Sequence, residues 1–405
     1  MKNRIRSIKD YLIYVAKHNK LGAIALIVDL IILICALYDY EDVIHKPTWI
    51  AILFAVFFTI IWQAINVISH LRIISKMNYT KDGGQLPIVN AAEGEEFKLS
   101  NGIRENYKPM EGFPHLYISE DIQAILKKEN PIHITIKESK TREVKALIQS
   151  TWSTLAIFLN EKFHRTNTFY NEKKLCMTSE ITKDEDKLKV YVCEGEYYNG
   201  YLTNEIYNFY LLEDSGTEFH SPYDASNYEI PLLGESIFSN HIGVSTLVLT
   251  KEKNEQRGVF LLVQEKKSSI NPGKIVPTGS GSVDYDDMKG LDDLKQIIIR
   301  AAERELKEET KFDVGRCKGA KTTIIGFYRD MARGGKPEFC CVTEVPLEHN
   351  AITIEPQPVE QIPTKKDFCE FSAETGELKN ITLRFKKSNT LEANLYFLKK
   401  YLKEK

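Results

Sequence analysis

Glu305, Glu308 and Glu309 stand at i, i+3 and i+4 in the run Arg304-Glu305-Leu306-Lys307-Glu308-Glu309. On a helix that spacing puts all three carboxylates on one face, in the same sector as Leu294, Ile298 and Ala301. Lys295, Arg300, Glu303 and Lys307 fall on the other side. Carboxylates turned towards a core are costly without a partner. For three of them the simplest partner is a hard divalent cation, Mg²⁺ or Mn²⁺. The alternative is a solvated charged helix, the ordinary fate of Glu, Arg and Lys. Like charges at these spacings cost a helix about 0.2–0.5 kcal/mol per pair, and acids near its C-terminus oppose the macrodipole. A local rule broken twice in one place favours the functional reading.

The acidic run needs a frame. Residues 292–310 read as its helix. Ahead lie two strand-like runs, 244–249 and 259–263, which read as a hairpin, and then the loop Pro277-Thr278-Gly279-Ser280-Gly281-Ser282. Strand-like segments follow at 322–328, 338–345 and 381–386, and the chain closes on an amphipathic helix, 390–402, with Asn389 as N-cap. Upstream, 133–136 and 188–193 read as strands and 144–159 as a helix. Residues 79–115, with Gly83-Gly84, Pro87, Pro109, Gly112 and Pro114, read as a linker. The stretch 196–212 carries Tyr197, Tyr198, Tyr201, Tyr207, Phe209 and Tyr210. No basic residues interleave with them, so packing is preferred over base stacking.

Length and charge set the bounds. The 405 residues carry a formal net charge of −2, which gives no support to bulk nucleic-acid binding. The seven cysteines include no CxxC pair, so they read as reduced thiols in a cytosolic setting. Residues 21–38 and 48–68 are apolar runs close to the ~20 residues that span a bilayer. A signal peptide and two buried helices of a soluble domain are the alternatives. Lys2, Arg4, Arg6, Lys9, Lys17 and Lys20 precede the first run, Asp39, Glu41 and Asp42 sit between the two, and Arg72, Lys76 and Lys81 follow. The positive-inside rule then gives a two-pass chain with both termini cytoplasmic.

Asp29 lies inside the first run and Gln63 inside the second. An intramembrane acid costs about 2.5–3.5 kcal/mol on insertion scales, so it is a functional hypothesis by default. The alternative is a protonated Asp29 bonded to Gln63 as helix glue.

Hairpin, Gly-rich loop, helix ending in REL-x-EE and further strands: this order resembles a Nudix domain. Arg304, Glu305, Leu306, Glu308 and Glu309 match the family box in register, and Phe312 fits its last apolar position. Gln296 stands where the box has its first Glu, and Lys311 where it has its late Gly. The family's loop glycines resemble Gly279 and Gly281, so residues 283–289 form an acidic insertion. The resemblance implies Glu305, Glu308 and Glu309 as metal ligands, Arg304 as the residue holding the helix, and loop glycines that let backbone approach a phosphate. It also implies a further acid from a later strand, with Glu338 and Glu344 as candidates. The expected fold is α+β: a transmembrane helical hairpin, then a cytosolic Nudix-like α/β/α sandwich with an additional α/β region. Its divisions are 1–20 (basic, cytosolic), 21–70 (membrane), 71–116 (linker), 117–239 (α/β) and 240–405 (Nudix-like, with the last helix).

Two membrane segments ahead of such a domain resemble the TM–Nudix effectors of bacterial cyclic-oligonucleotide (CBASS) antiphage systems. That resemblance implies a receptor in the inner membrane. It would bind a cyclic oligonucleotide, oligomerise with itself on activation, and act on membrane lipid. The second reading is a membrane-anchored, Mg²⁺-dependent hydrolase of a nucleoside diphosphate derivative. The intact acids favour the enzyme; Gln296, Lys311, the insertion and Asp29 favour the receptor.

Overall fold

Long β-branched and apolar runs become the central strands here, and the helices that cover them carry their apolar residues on one side. The structure, a computed structural model, describes residues 2–18, 88–90, 97–165, 169–185, 187–212, 218–219, 223, 228–251, 257–263, 273–357, 365–372, 374–379 and 386–405. The apolar runs 21–38 and 48–68, with Asp29 and Gln63, lie outside these residues. Among the described residues no helix is long and apolar enough to cross a membrane.

The first helix, α1 (Lys2–His18), is followed among the described helices by α2 (Asn101–Asn106), which Ser100 caps. Strands β1 (Lys108–Met110) and β2 (Phe113–Ile118) pair beside Gly112, whose φ of +82° favours glycine. Through the pair Tyr117–Arg329 they join the main sheet. Residues 97–116 are therefore folded, which corrects the linker reading there. Their Pro and Gly residues shape a tight turn.

Helix α3 (Glu120–Lys127) leads to β3 (Ile132–Ile136). The single helix expected over 144–159 is two, α4 (Glu138–Ser150) and α5 (Trp152–Arg165), broken where Thr151 leaves helical geometry at φ −109°, ψ 12°. Strands β4 (Lys173–Met177) and β5 (Lys187–Glu196) follow: β5 runs parallel to β3 and antiparallel to β4.

The expected hairpin is present as β6 (Gly243–Lys251) and β7 (Arg257–Val263), antiparallel with Thr250 opposite Gly258. Then come β8 (Lys274–Val276), β9 (Gly279–Ser282), α6 (Leu294–Thr310), β10 (Lys321–Asp330), β11 (Lys336–Val345), β12 (Lys365–Phe371) and α7 (Asn389–Glu404). The main sheet runs β12-β7-β6-β11-β10-β2-β1, with β9 attached to β6. Ser388, not Asn389, caps α7: its hydroxyl accepts from the Leu391 N–H at 3.1 Å.

Alternation along β6 decides which helix covers which face. Leu247 and Leu249 pack with Leu391, Leu395 and Leu398 of α7. Val248, pointing the other way, packs with Leu306 of α6. The mixed α/β sheet thus lies between α6 and α7. One hydrophobic cluster includes Tyr11 and Tyr14 of α1, Leu155 of α5, Val190 of β5, Ile298 of α6 and Phe339 of β11. The α/β region and the Nudix-like part share that core. Tyr198 and Tyr207 lie buried in it, with Tyr197, Tyr201 and Phe209 packed against it, so these rings are structural.

Candidate metal centre

Helix α6 starts at Asp293, whose carboxylate accepts from the Lys295 N–H, and buries Leu294, Ile297, Ile298, Ala301, Ala302 and Leu306. This stripe fixes the rotation of the helix, and so directs its last turn. Glu305 follows the stripe inward: its side chain is 12% exposed. Glu309 also faces the sheet, where its carboxylate accepts the Ser280 N–H at 3.0 Å. Burial pushes the Glu305 carboxyl up to about 7, against the pull of Arg304 and Lys174. Burial, and then the Glu305 charge, hold Glu309 well above the ordinary carboxylate range.

Glu308 departs from expectation. It is 60% exposed and accepts from Arg304 Nη1 at 3.2 Å. A helical wheel gives direction but says nothing of what covers the helix. Glu308 lies at the edge of the sector, about 100° round the helix from Glu309, and there a cleft of about 410 Å³ opens, lined by Glu303, Arg304, Lys307, Glu308, Asp313, Val314 and Gly315.

Arg304 organises the ensemble. Its guanidinium donates to Asp287 Oδ1 at 3.1 Å and Oδ2 at 3.0 Å, to the Ser282 carbonyl at 3.1 Å, and to Glu305 Oε1 at 2.9 Å. Asp284 Oδ2 lies 3.4 Å from Nη1. Asp284 and Asp287 belong to the acidic insertion, which forms a short 3₁₀ turn at Tyr285–Met288 closed by a capping box. The resemblance marked Arg304; it gave no role to Asp287.

The stretch Gly279–Ser282 is a strand, not a loop, paired with β6 through Thr246–Gly279 and Val244–Gly281. This corrects the reason assigned to its glycines. A Cβ on Gly279 would lie 2.8 Å from Leu306 Cα, and one on Gly281 would collide with the Glu305 carboxylate. Both glycines let α6 press against the sheet, and Gly281 makes the space in which Glu305 sits.

Glu338 and Glu344 do not join the site. Glu338 stands opposite Gly243 in β11, on the α7 side of the sheet, and is bound by Arg333 and Lys336, each at 2.7 Å. Glu344 accepts from Tyr401 and Lys405 at the far end of the strand. What sequence reasoning missed is Lys174. This β4 residue pairs with Asp284 and, at 3.3 Å, with Glu172, and its charge acts on Glu305. No local pattern ties it to a helix 130 positions away. We expect Lys174→Met to tighten Mn²⁺ binding by about tenfold, equivalent to ~1.4 kcal/mol. Calorimetric titration with Mn²⁺ checks this; unchanged or weaker binding would show that the ammonium does not compete with the metal.

Three hard carboxylate oxygens on one helix suit Mg²⁺ or Mn²⁺ in kind, and Glu305 and Glu309, both half-buried and each within reach of the other's charge, provide two of them. Glu308 completes the set in sequence, but here it engages Arg304. Among the described residues no three His, Cys, Asp or Glu side chains come together as a ready metal set.

No family model matches the chain, and no curated protein is similar to it. Its neighbours among solved structures are Nudix hydrolases. A Nudix hydrolase from M. smegmatis, RenU, is 10% identical with a TM-score of 0.28, covering 48% of this chain and 94% of that one. A MutT protein from Methanosarcina mazei is 16% identical with a TM-score of 0.26, covering 40% and 94%. The C. elegans Ap4A hydrolase is 18% identical with a TM-score of 0.23, covering 41% and 98%. Similarity this low carries no residue assignment; those above stand on geometry.

Lys311, where the Nudix box has glycine, ends α6 in the left-handed region at φ +59°. A side chain there costs about 1 kcal/mol. Lys311→Gly should therefore raise the unfolding free energy by up to about 1 kcal/mol, read as a higher denaturant midpoint. A lower midpoint would mean that the 2.9 Å Lys311–Glu355 pair outweighs the strain.

Proposed function

We propose that residues 240–405 bind nucleotide phosphate through a divalent cation held by Glu305, Glu308 and Glu309. In this reading the chain is a membrane-bound effector of a CBASS-type defence system. Its cytosolic part senses a cyclic oligonucleotide, and residues 21–38 and 48–68 disrupt the inner membrane. A bound Mg²⁺ would supply charge neutralisation for phosphate oxygens. The chain's own residues do the rest: Arg304 fixes the helix end, Gly281 leaves room for Glu305, and the cleft beside Glu308 admits the ligand.

One observation supports receptor over enzyme. A chain of ion pairs leads away from the acids. Arg304 links Glu305 at 2.9 Å to Asp284 at 3.4 Å, Asp284 pairs with Lys174, Lys174 with Glu172 at 3.3 Å, and Glu172 with Arg6 of α1 at 3.1 Å. Helix α1 directly precedes the first apolar run. A ligand that draws Glu305 and Arg304 into new contacts would alter each member in turn. The outer Arg6–Glu172 pair is solvent-exposed and worth at most about 1 kcal/mol, which caps the coupling it can carry. The hydrolase remains the second reading, favoured by Glu308 standing at an open cleft where water enters.

The full chain in lipid nanodiscs with Mg²⁺, offered linear and cyclic nucleotides, separates the two when binding and product are scored independently. Binding of a cyclic nucleotide without product supports the receptor. Turnover abolished by Glu308→Gln supports the enzyme, and neither binding nor product from any nucleotide refutes both.

A further inference from the structure

Helix α1 is tied to the cytosolic part by one side only. Ser7 donates to the Phe169 carbonyl at 2.8 Å, Tyr11 to Asn160 at 2.9 Å, and Tyr14 to Asn199 at 2.6 Å; Tyr11 also stacks on Phe163 at 4.2 Å. These contacts fix the rotation of the helix. They turn Ile5, Ile8, Leu12 and Ile13 outward, at 58, 40, 56 and 56% exposure. Among the described residues these are four of the eight exposed large hydrophobics, so half of those residues sit on one seventeen-residue helix. Lys9 is exposed beside them, and Arg6 and Lys17, also exposed, are paired with Glu172 at 3.1 Å and with Glu196 at 2.8 Å. An apolar stripe flanked by cations is the pattern of a helix lying in the interface of an anionic bilayer.

We infer that the outward face of α1 docks on the anionic surface of the membrane that holds residues 21–38 and 48–68. The inference rests on the reading of those residues as membrane segments. Helix α1 ends at His18, and the first apolar run starts at Leu21, so a chain that enters the bilayer there keeps α1 at its surface. Lys9 matches anionic headgroups, with the paired Arg6 and Lys17 at the rim of the same face. Turning the stripe inward instead would break the Ser7, Tyr11 and Tyr14 bonds. The cytosolic part would then be held against the membrane along α1, beyond its covalent connection.

The test places the photocrosslinker benzoylphenylalanine at Leu12, and separately at Ile8, in the full chain reconstituted in phosphatidylcholine–phosphatidylglycerol vesicles. Both side chains are solvent-facing, so neither change touches the core. Phospholipid adducts are expected at both positions, at several times the yield from the exposed position Lys318. Yield should fall about twofold or more in phosphatidylcholine alone. Adducts within the chain or to a second copy would overturn the inference, as would the absence of adducts or equal yield in both lipids. Alkaline carbonate extraction distinguishes the two failures. A chain stripped from the vesicles refutes the membrane segments themselves; a chain retained without lipid adducts at α1 refutes only the docking.

Discussion

Arg304→Met should destabilise the protein by about 3–5 kcal/mol, the cost of removing one partner from a buried ion network. Asp287 is 5% exposed and takes both of its oxygens' cationic donors from this one guanidinium. Glu305 would lose its 2.9 Å partner, and the Ser282 carbonyl its 3.1 Å bond. Methionine fills the volume but satisfies none of these acceptors. Arg304→Lys should recover little, because an ammonium cannot address Asp287 twice while also reaching Glu305 and Ser282. Denaturant unfolding of both variants decides the matter. A loss below about 1 kcal/mol, typical of an exposed ion pair, would show that Arg304 is a surface residue and not the organiser of the site.

Glu309→Gln carries the second large effect, and here two quantities should move in opposite directions. Glu309 is an inward carboxylate that accepts the Ser280 backbone N–H at 3.0 Å. Neutralising it removes the cost of a charge out of water, so folding stability should hold or rise by about 1–2 kcal/mol. If Glu309 is a metal ligand, Mg²⁺-dependent nucleotide binding should meanwhile weaken by about a hundredfold or more, some 2.7 kcal/mol. A residue kept at a cost to the fold and needed for the ligand is the signature of a functional site. The same variant losing both stability and binding would make Glu309 a structural acid, and the metal reading would lose a ligand.

Much of this site was legible in the sequence because its parts are local. Spacing placed Glu305 and Glu309 on the buried side of α6, and the hairpin of β6 and β7 followed from its two apolar runs. The errors also have physical causes. Glu308 stands at the edge of the inward sector, about 100° round the helix from Glu309, and its side chain turns out to Arg304 and the open cleft. Gly279 and Gly281 resembled a flexible loop because glycine suits loops; here they serve a close approach between helix and strand. Residues 97–116 resembled a linker through Pro and Gly that make a turn. Glu338 is a later-strand acid, but strand alternation puts it on the α7 side. Lys174 was out of reach altogether, because only the tertiary fold brings β4 to the acidic turn.

The binding expectations depend on the inward carboxylates of α6 holding a divalent ion, and Mn²⁺ titration of the full chain tests that directly. Wild-type protein and Glu344→Gln, whose acid lies at the other end of its strand, should bind alike, while the Glu305→Gln/Glu309→Gln double variant should stay folded and bind no ion. Equal Mn²⁺ binding by the double variant and the wild type would contradict the account.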